Sequence, residues 1–119
     1  MIPQIHWDLL RSCQPYFETD EFIFTHANYS PELLMSEQPE YQLRWELFDP
    51  ESQRPHCSGR TIVVGHTETK DSEILDLDFA VRIDTACWGH GWLTALDVHS
   101  RKYWQASRWG KLPLTAEHA

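Results

Sequence analysis

The sequence predicts an α+β domain with a mostly antiparallel or mixed sheet and a few flanking helices. Three observations carry that expectation. Short β-branched and aromatic runs at Phe22–Thr25, Thr61–Val64 and Phe79–Ile83 are bounded by polar or Gly- and Pro-bearing segments. Two further runs, Trp92–Val98 and Lys102–Ala106, are joined across a tight His99-Ser100 turn and should pair as an antiparallel hairpin. Only two stretches carry helical signals, too few for the strand–helix alternation of a doubly wound sheet.

The elements follow in chain order. Residues Ile2 to Leu10 read as a helix, with Pro3 in the first turn, Ile5, Leu9 and Cys13 on one side, and Pro15 as the stop. A polar patch, Glu18 to Glu21, leads into the first strand. His26 to Pro31 is polar and reads as a loop, and Tyr41 to Phe48 as a short helix before Asp49-Pro50. A turn-rich connection with Pro55 and Gly59 precedes Thr61–Val64, the strongest strand signal, which Gly65-His66-Thr67 closes. The polar tail from Leu112 should fray. With little helix to cover it, part of the sheet's surface or edge should lie open.

Size and charge narrow the function. At 119 residues the chain forms a single domain spanning 1–119, able to bury roughly two thirds of its unfolded surface. Six Trp and five Phe argue against disorder. The net charge of −8 speaks against nucleic-acid binding, which needs a basic face, and otherwise simply favours solubility. Cys13, Cys57 and Cys87 are widely spaced without a CxxC pair, which fits reduced thiols in a cytoplasmic protein. No apolar run approaches the roughly 20 residues of a membrane span, and no signal peptide is apparent.

Two segments share one design, a buried strand that delivers a histidine at its C-terminal end. His26 follows Phe22–Thr25, and His66 follows Thr61–Val64 with Gly65 between, which allows a sharp turn or a close approach. A rigid strand with an imidazole at its mouth suits a metal ligand. Such a histidine also serves simply by bonding backbone, and spacing alone leaves both roles open. Asp84 ends a third strand, either as a carboxylate orienting a histidine or as a turn-former with Thr85. The glycines of the Cys87–Trp92 loop suggest a tight strand crossing. A stand-alone zinc site drawing on His6, His26, His56, His66 and the cysteines lacks regular spacing.

In this order the motifs Phe24-Thr25-His26-Ala27, Val64-Gly65-His66-Thr67, and Ile83-Asp84-Thr85 followed by Leu93-Thr94-Ala95-Leu96 resemble the calcineurin-like metallophosphoesterases of the serine/threonine protein phosphatase type. The resemblance runs from about Phe22 to Val98 and covers that family's C-terminal half. It implies the C-terminal part of a metallophosphoesterase β-sandwich, with His26 and His66 as ligands of one ion in a two-metal site of manganese, iron or zinc. Arg44 stands near the position of a phosphate-contacting arginine, though it precedes Trp45 instead of following a tryptophan, and a solvent-facing helix arginine is its other role. Ala86 replaces the family's usual glycine after Asp84-Thr85.

The family's N-terminal motifs (Asp-x-His, Gly-Asp-x-x-Asp-Arg-Gly and Gly-Asn-His-Glu) precede the first histidine motif, and none stands ahead of His26 here. They supply the carboxylates, the asparagine, the acid histidine and a further arginine. The resemblance therefore implies hydrolysis of phosphomonoesters, on a phosphorylated protein or a small phosphoester, by a chain weakly active or inactive without its missing N-terminal half. The alternative is a non-catalytic remnant that binds a partner or self-associates through its open sheet.

Overall fold

The structure, a computed structural model, describes residues 1–113. The tail expected to fray from Leu112 lies outside the described residues beyond 113. Among the described residues, α1 (Gln4–Ser12) precedes seven strands that form a mixed five-stranded sheet and a two-stranded hairpin, and a 3-10 turn (Met35–Glu37) and α2 (Glu40–Arg44) lie between strands. This is an α+β arrangement. The sheet contains β1 (Tyr16–Glu18), β2 (Phe22–Thr25), β3 (Thr61–Val64), β4 (Leu75–Asp76) and β5 (Ala80–Arg82) in the order β1-β2-β3-β5-β4. The hairpin joins β6 (Trp92–Leu96) to β7 (Tyr103–Ser107).

The centre of the sheet is parallel. Strand β2 pairs with β3 from Phe22↔Thr61 to Phe24↔Val63, and β3 pairs with β5 from Ile62↔Ala80 to Val64↔Arg82. These are the strands that read as continuous apolar runs, and parallel strands are covered on both faces. Ile23, Ile62, Val64 and Ala80 meet Tyr29, Met35, Leu43 and Phe48 on one face. The other face buries Phe22, Val63 and Val81. The hairpin reaches that face, where His99 packs edge-on against Phe22 and Arg101 Nη1 donates to Asp76 Oδ2 at 2.7 Å.

Antiparallel pairing is confined to the edges and the hairpin. The polar patch Glu18–Glu21 is the tip of a β1–β2 hairpin, closed by Thr19 N–H donating to the Phe22 carbonyl at 2.8 Å. The β6–β7 connection runs over residues 97–102 and is longer than the two-residue turn expected. The Asp97 carboxylate accepts the His99 and Ser100 amides, and Arg101 takes the left-handed conformation that reverses the chain. Those amide bonds hold the Asp97 carboxyl below its ordinary range.

Helix α2 stops at Arg44, short of the expected Phe48. Its continuation is captured by other partners: Asn28 Nδ2 donates to Glu46 and to the Leu47 carbonyl, and Phe48 N–H donates to Thr67 Oγ1 at 2.8 Å. Side-chain bonds of this kind compete with a helical ladder. Helix α1 has no buried residue, and Ile5 and Leu9 are 72% and 66% exposed. The side expected to pack is therefore bare, together with Phe17, and Cys13 and Cys57 are free exposed thiols.

The Thr85–Trp92 loop answers the glycine question position by position. A Cβ on Gly91 would fall well inside contact with the Thr85 carbonyl, so this glycine marks a close crossing, while Gly89 meets nothing nearer than 4.0 Å. Ala86 has φ 62°, a left-handed conformation that an L-residue adopts at a cost of about 1–2 kcal/mol. Accordingly Gly91→Ala should destabilise the chain by about 3 kcal/mol or more in denaturant melts. Ala86→Gly should leave stability unchanged or raise it by up to about 1 kcal/mol, a gain that the added freedom of the unfolded chain reduces.

Candidate functional site

The parallel register brings the three strand ends to one edge of the sheet. His26 follows β2, His66 follows β3 and Asp84 follows β5, and these strands are adjacent. The ladder continues one step past β3, where Gly65 N–H donates to the His26 carbonyl at 2.9 Å. This bond holds the two histidine segments side by side although 40 residues separate them. The carboxyl edge of parallel strands is where such sheets commonly gather ligands.

The rings meet. His26 Nε2 lies 3.2 Å from His66 Nδ1, with the ring centroids 5.0 Å apart. The far side of His66 is fixed: its Nε2 lies 3.1 Å from the Trp45 carbonyl, which can only accept, so Nε2 carries the proton. His66 Nδ1 is left with a lone pair pointing at His26, which donates to it from Nε2. The Trp45 ring stands edge-on to His66 at 87°. Trp45 thus orients the pair through its backbone, a contribution with no signature in residue type. It was the end of α2, one residue earlier, that released the segment.

The backbone at His66 is strained. Its φ is 62°, whereas Gly65 is not in the left-handed region and a Cβ there would meet the His26 carbonyl at an ordinary 3.5 Å. The sharp turn expected of the glycine is made by the histidine. Left-handed non-glycine residues cost about 1–3 kcal/mol and concentrate at functional positions.

Electrostatics disfavour a charge on His26. Partial desolvation of the His26 ring, then the neighbouring His66 imidazole, lower its pKa from 6.5, with Asp84 opposing and Arg44 adding to the effect. Asp84 Oδ1 accepts the Ala86 amide at 3.2 Å and its carbonyl accepts Thr69 N–H at 2.9 Å, so it builds the turn while acting on His26 by charge. Arg44, the last residue of α2, shares with His26 a groove of about 430 Å3 walled by Pro15, Phe17 and Phe24. Its Nε pairs with Glu40 at 2.9 Å.

The pair fits one metal ion. Metal–imidazole bonds of about 2.0–2.1 Å place two ligating nitrogens about 2.9–3.4 Å apart, depending on the angle at the metal. The observed 3.2 Å lies in that range. With the His26 proton on Nδ1, both facing nitrogens would carry lone pairs. Among the described residues, no group of three or more His, Cys, Asp or Glu forms a metal cluster. His56 is engaged elsewhere: Nε2 lies 2.7 Å from the Leu33 carbonyl and Nδ1 accepts the Ser58 amide. The chain's one Asp-x-His tripeptide, Asp97-Val98-His99, lies in the hairpin turn, with His99 on Phe22 at the opposite end of β2 from His26.

No family model matches the chain, and neither a curated protein nor a solved structure matches it.

In an NMR pH titration the His26 imidazole should titrate below 6.5. The sign for stability follows: the unfolded chain binds this proton more readily, so the fold loses stability as pH falls through 6.5 toward the His26 value. An ordinary midpoint would contradict the partial desolvation of the His26 ring.

Proposed function

We propose that the chain is the C-terminal portion of a calcineurin-like metallophosphoesterase of the serine/threonine protein phosphatase type, acting in the cytoplasm in metal-dependent hydrolysis of phosphomonoesters. One observation carries this reading: two histidines from matching strand ends converge, Nε2 to Nδ1, at a separation suited to one ion, with one of them locked in the ligating tautomer. The left-handed backbone of His66 supports it, since such positions concentrate at functional sites. When bound, divalent manganese, iron or zinc (two ions in the intact family site) supplies Lewis acidity and an activated water at neutral pH.

The chain's own residues have defined tasks. His26 and His66 hold the ion, and the Trp45 carbonyl keeps His66 in register, as outer partners of ligating imidazoles do. Asp84 acts on His26 through charge. Arg44, at the rim of the same groove, can turn from Glu40 toward a phosphate, where its planar fork suits the oxygens. Two neutral imidazoles offset none of a cation's charge, so binding by this chain alone is weak and turnover slow or absent. The substrate is a phosphorylated protein or a small phosphoester.

A second reading, a non-catalytic remnant that binds a partner or self-associates, is favoured by α1. Isolated helices shorter than about 12–15 residues are marginal in water, and this nine-residue helix buries no side chain on the rest of the chain. Its apolar surface and the adjoining Phe17–Phe24 groove suit either the missing half or a second copy.

Manganese titration of the purified chain separates these readings. The phosphoesterase reading expects weak binding of one ion, lost in His26→Ala and in His66→Ala, with p-nitrophenyl phosphate turnover appearing on co-expression with a segment carrying the three N-terminal motifs. Binding indifferent to both substitutions would sink it. Turnover by the chain alone, abolished by His66→Ala, would overturn the expectation of inactivity. In light scattering the remnant reading expects a dimer or larger species, and a clean monomer counts against self-association.

A further inference from the structure

The segment after the second histidine, residues 67–75, folds back beside β5 and borders a cavity of about 450 Å3. Phe48, Ile74 and Leu75 give it apolar walls, and Thr69, Lys70 and Arg82 line it with polar groups. That size and mixture are typical of small-molecule sites.

Arg82 is the feature that needs an explanation. Arg11, Arg44, Arg54, Arg60 and Arg101 each have a carboxylate partner, and Arg108 donates to the Trp88 carbonyl at 2.6 Å and lies over the Trp109 ring. Arg82 has none within ion-pair distance among the described residues. Its one hydrogen bond runs from Nη1 to the Phe48 carbonyl at 3.3 Å, a long contact, with the Phe48 ring 5.9 Å away. Its Nε is buried without an acceptor. The Thr69 hydroxyl, on a residue 4% exposed, is also unpartnered, as is Ser72 Oγ on the same turn. The buried side-chain atoms found without a partner among the described residues thus all belong to this turn and to Arg82 beside it. Buried polar groups are nearly always paired, and this cluster of orphans departs from that rule. Burial lowers the Arg82 pKa, with Asp84 and then Asp71 opposing.

We propose that this cavity binds a small carboxylate with an apolar body, its carboxylate on the Arg82 guanidinium and its body against Phe48, Ile74 and Leu75. A planar carboxylate matches the guanidinium fork. Glu68, Asp71 and Glu73 against Lys70 and Arg82 leave the lining one charge negative, which selects a monoanion over a dianionic phosphate. The ligand is either a free acid or the C-terminal residue of a peptide. Neither His26 nor His66 lines the cavity, so the inference stands apart from the phosphoesterase reading.

The test is an amide-resolved NMR titration with phenylacetate, phenylacetamide and benzyl phosphate. The expected result is saturable shifts at residues 67–75 and Arg82 with phenylacetate, no saturation with the amide, and weaker binding of the phosphate. Arg82→Gln should weaken phenylacetate binding at least about tenfold, and His26→Ala should leave it unchanged. Failure of phenylacetate to saturate, equal binding of acid and amide, or wild-type affinity in Arg82→Gln would overturn the proposal. Should Arg82→Gln not fold, the acid-to-amide comparison on the natural chain decides it. An acetylated peptide ending in a free phenylalanine carboxylate then names the source: tighter binding than phenylacetate points to a peptide terminus, weaker binding to a free acid, and either supports the carboxylate site.

Discussion

Everything at the candidate site depends on the parallel register of β2, β3 and β5. Three short strands, paired from Phe22↔Thr61 through Val64↔Arg82, deliver His26, His66 and Asp84 to a common edge. A slip of one residue in β3 would turn Ile62 and Val64 from the core to the opposite face, so burial itself fixes the register. The Gly65-to-His26 backbone bond carries that precision one step beyond the regular strands, into the pair. A ligand site here needs no special scaffold, because the hydrophobic effect that selects the register also sets the distance between the imidazoles.

What the sequence made legible follows from the same physics. The apolar runs at residues 22–25 and 61–64 coincide with strands because burial on both faces leaves a strong local signal, and those at 79–83, 92–98 and 102–106 lie within a residue or two of strands. Strands β1 and β4 escaped because three and two residues, mixed in polarity, carry too little pattern. Parallel pairing was also hidden, since the partners are far apart in sequence. At the site, the convergence of His26 and His66 was legible as matching strand ends. The Trp45 carbonyl was not, because a main-chain group has no identity to read, and the switch of the turn from Gly65 to His66 emerges only from backbone angles.

The bare apolar surface and the histidine pair lie next to one another. Helix α1 lies open, and Phe17 with Phe24 lines the groove that ends at His26 and Arg44. Exposed apolar area of this kind marks surfaces suited to an interaction. A partner seated there would shield the imidazoles from water and strengthen their hold on charge in one step.

The left-handed backbone of His66 has a longer consequence. A position that strains the fold and contributes only through its ring is one that drift would readily surrender, since glycine or asparagine would sit there more comfortably. Mutational tolerance at residue 66 thus becomes a gauge of use. In a lineage that still relies on the pair, the imidazole survives against its own conformational preference; in one that has abandoned it, this should be among the earliest positions to relax, well before the strands that carry it change.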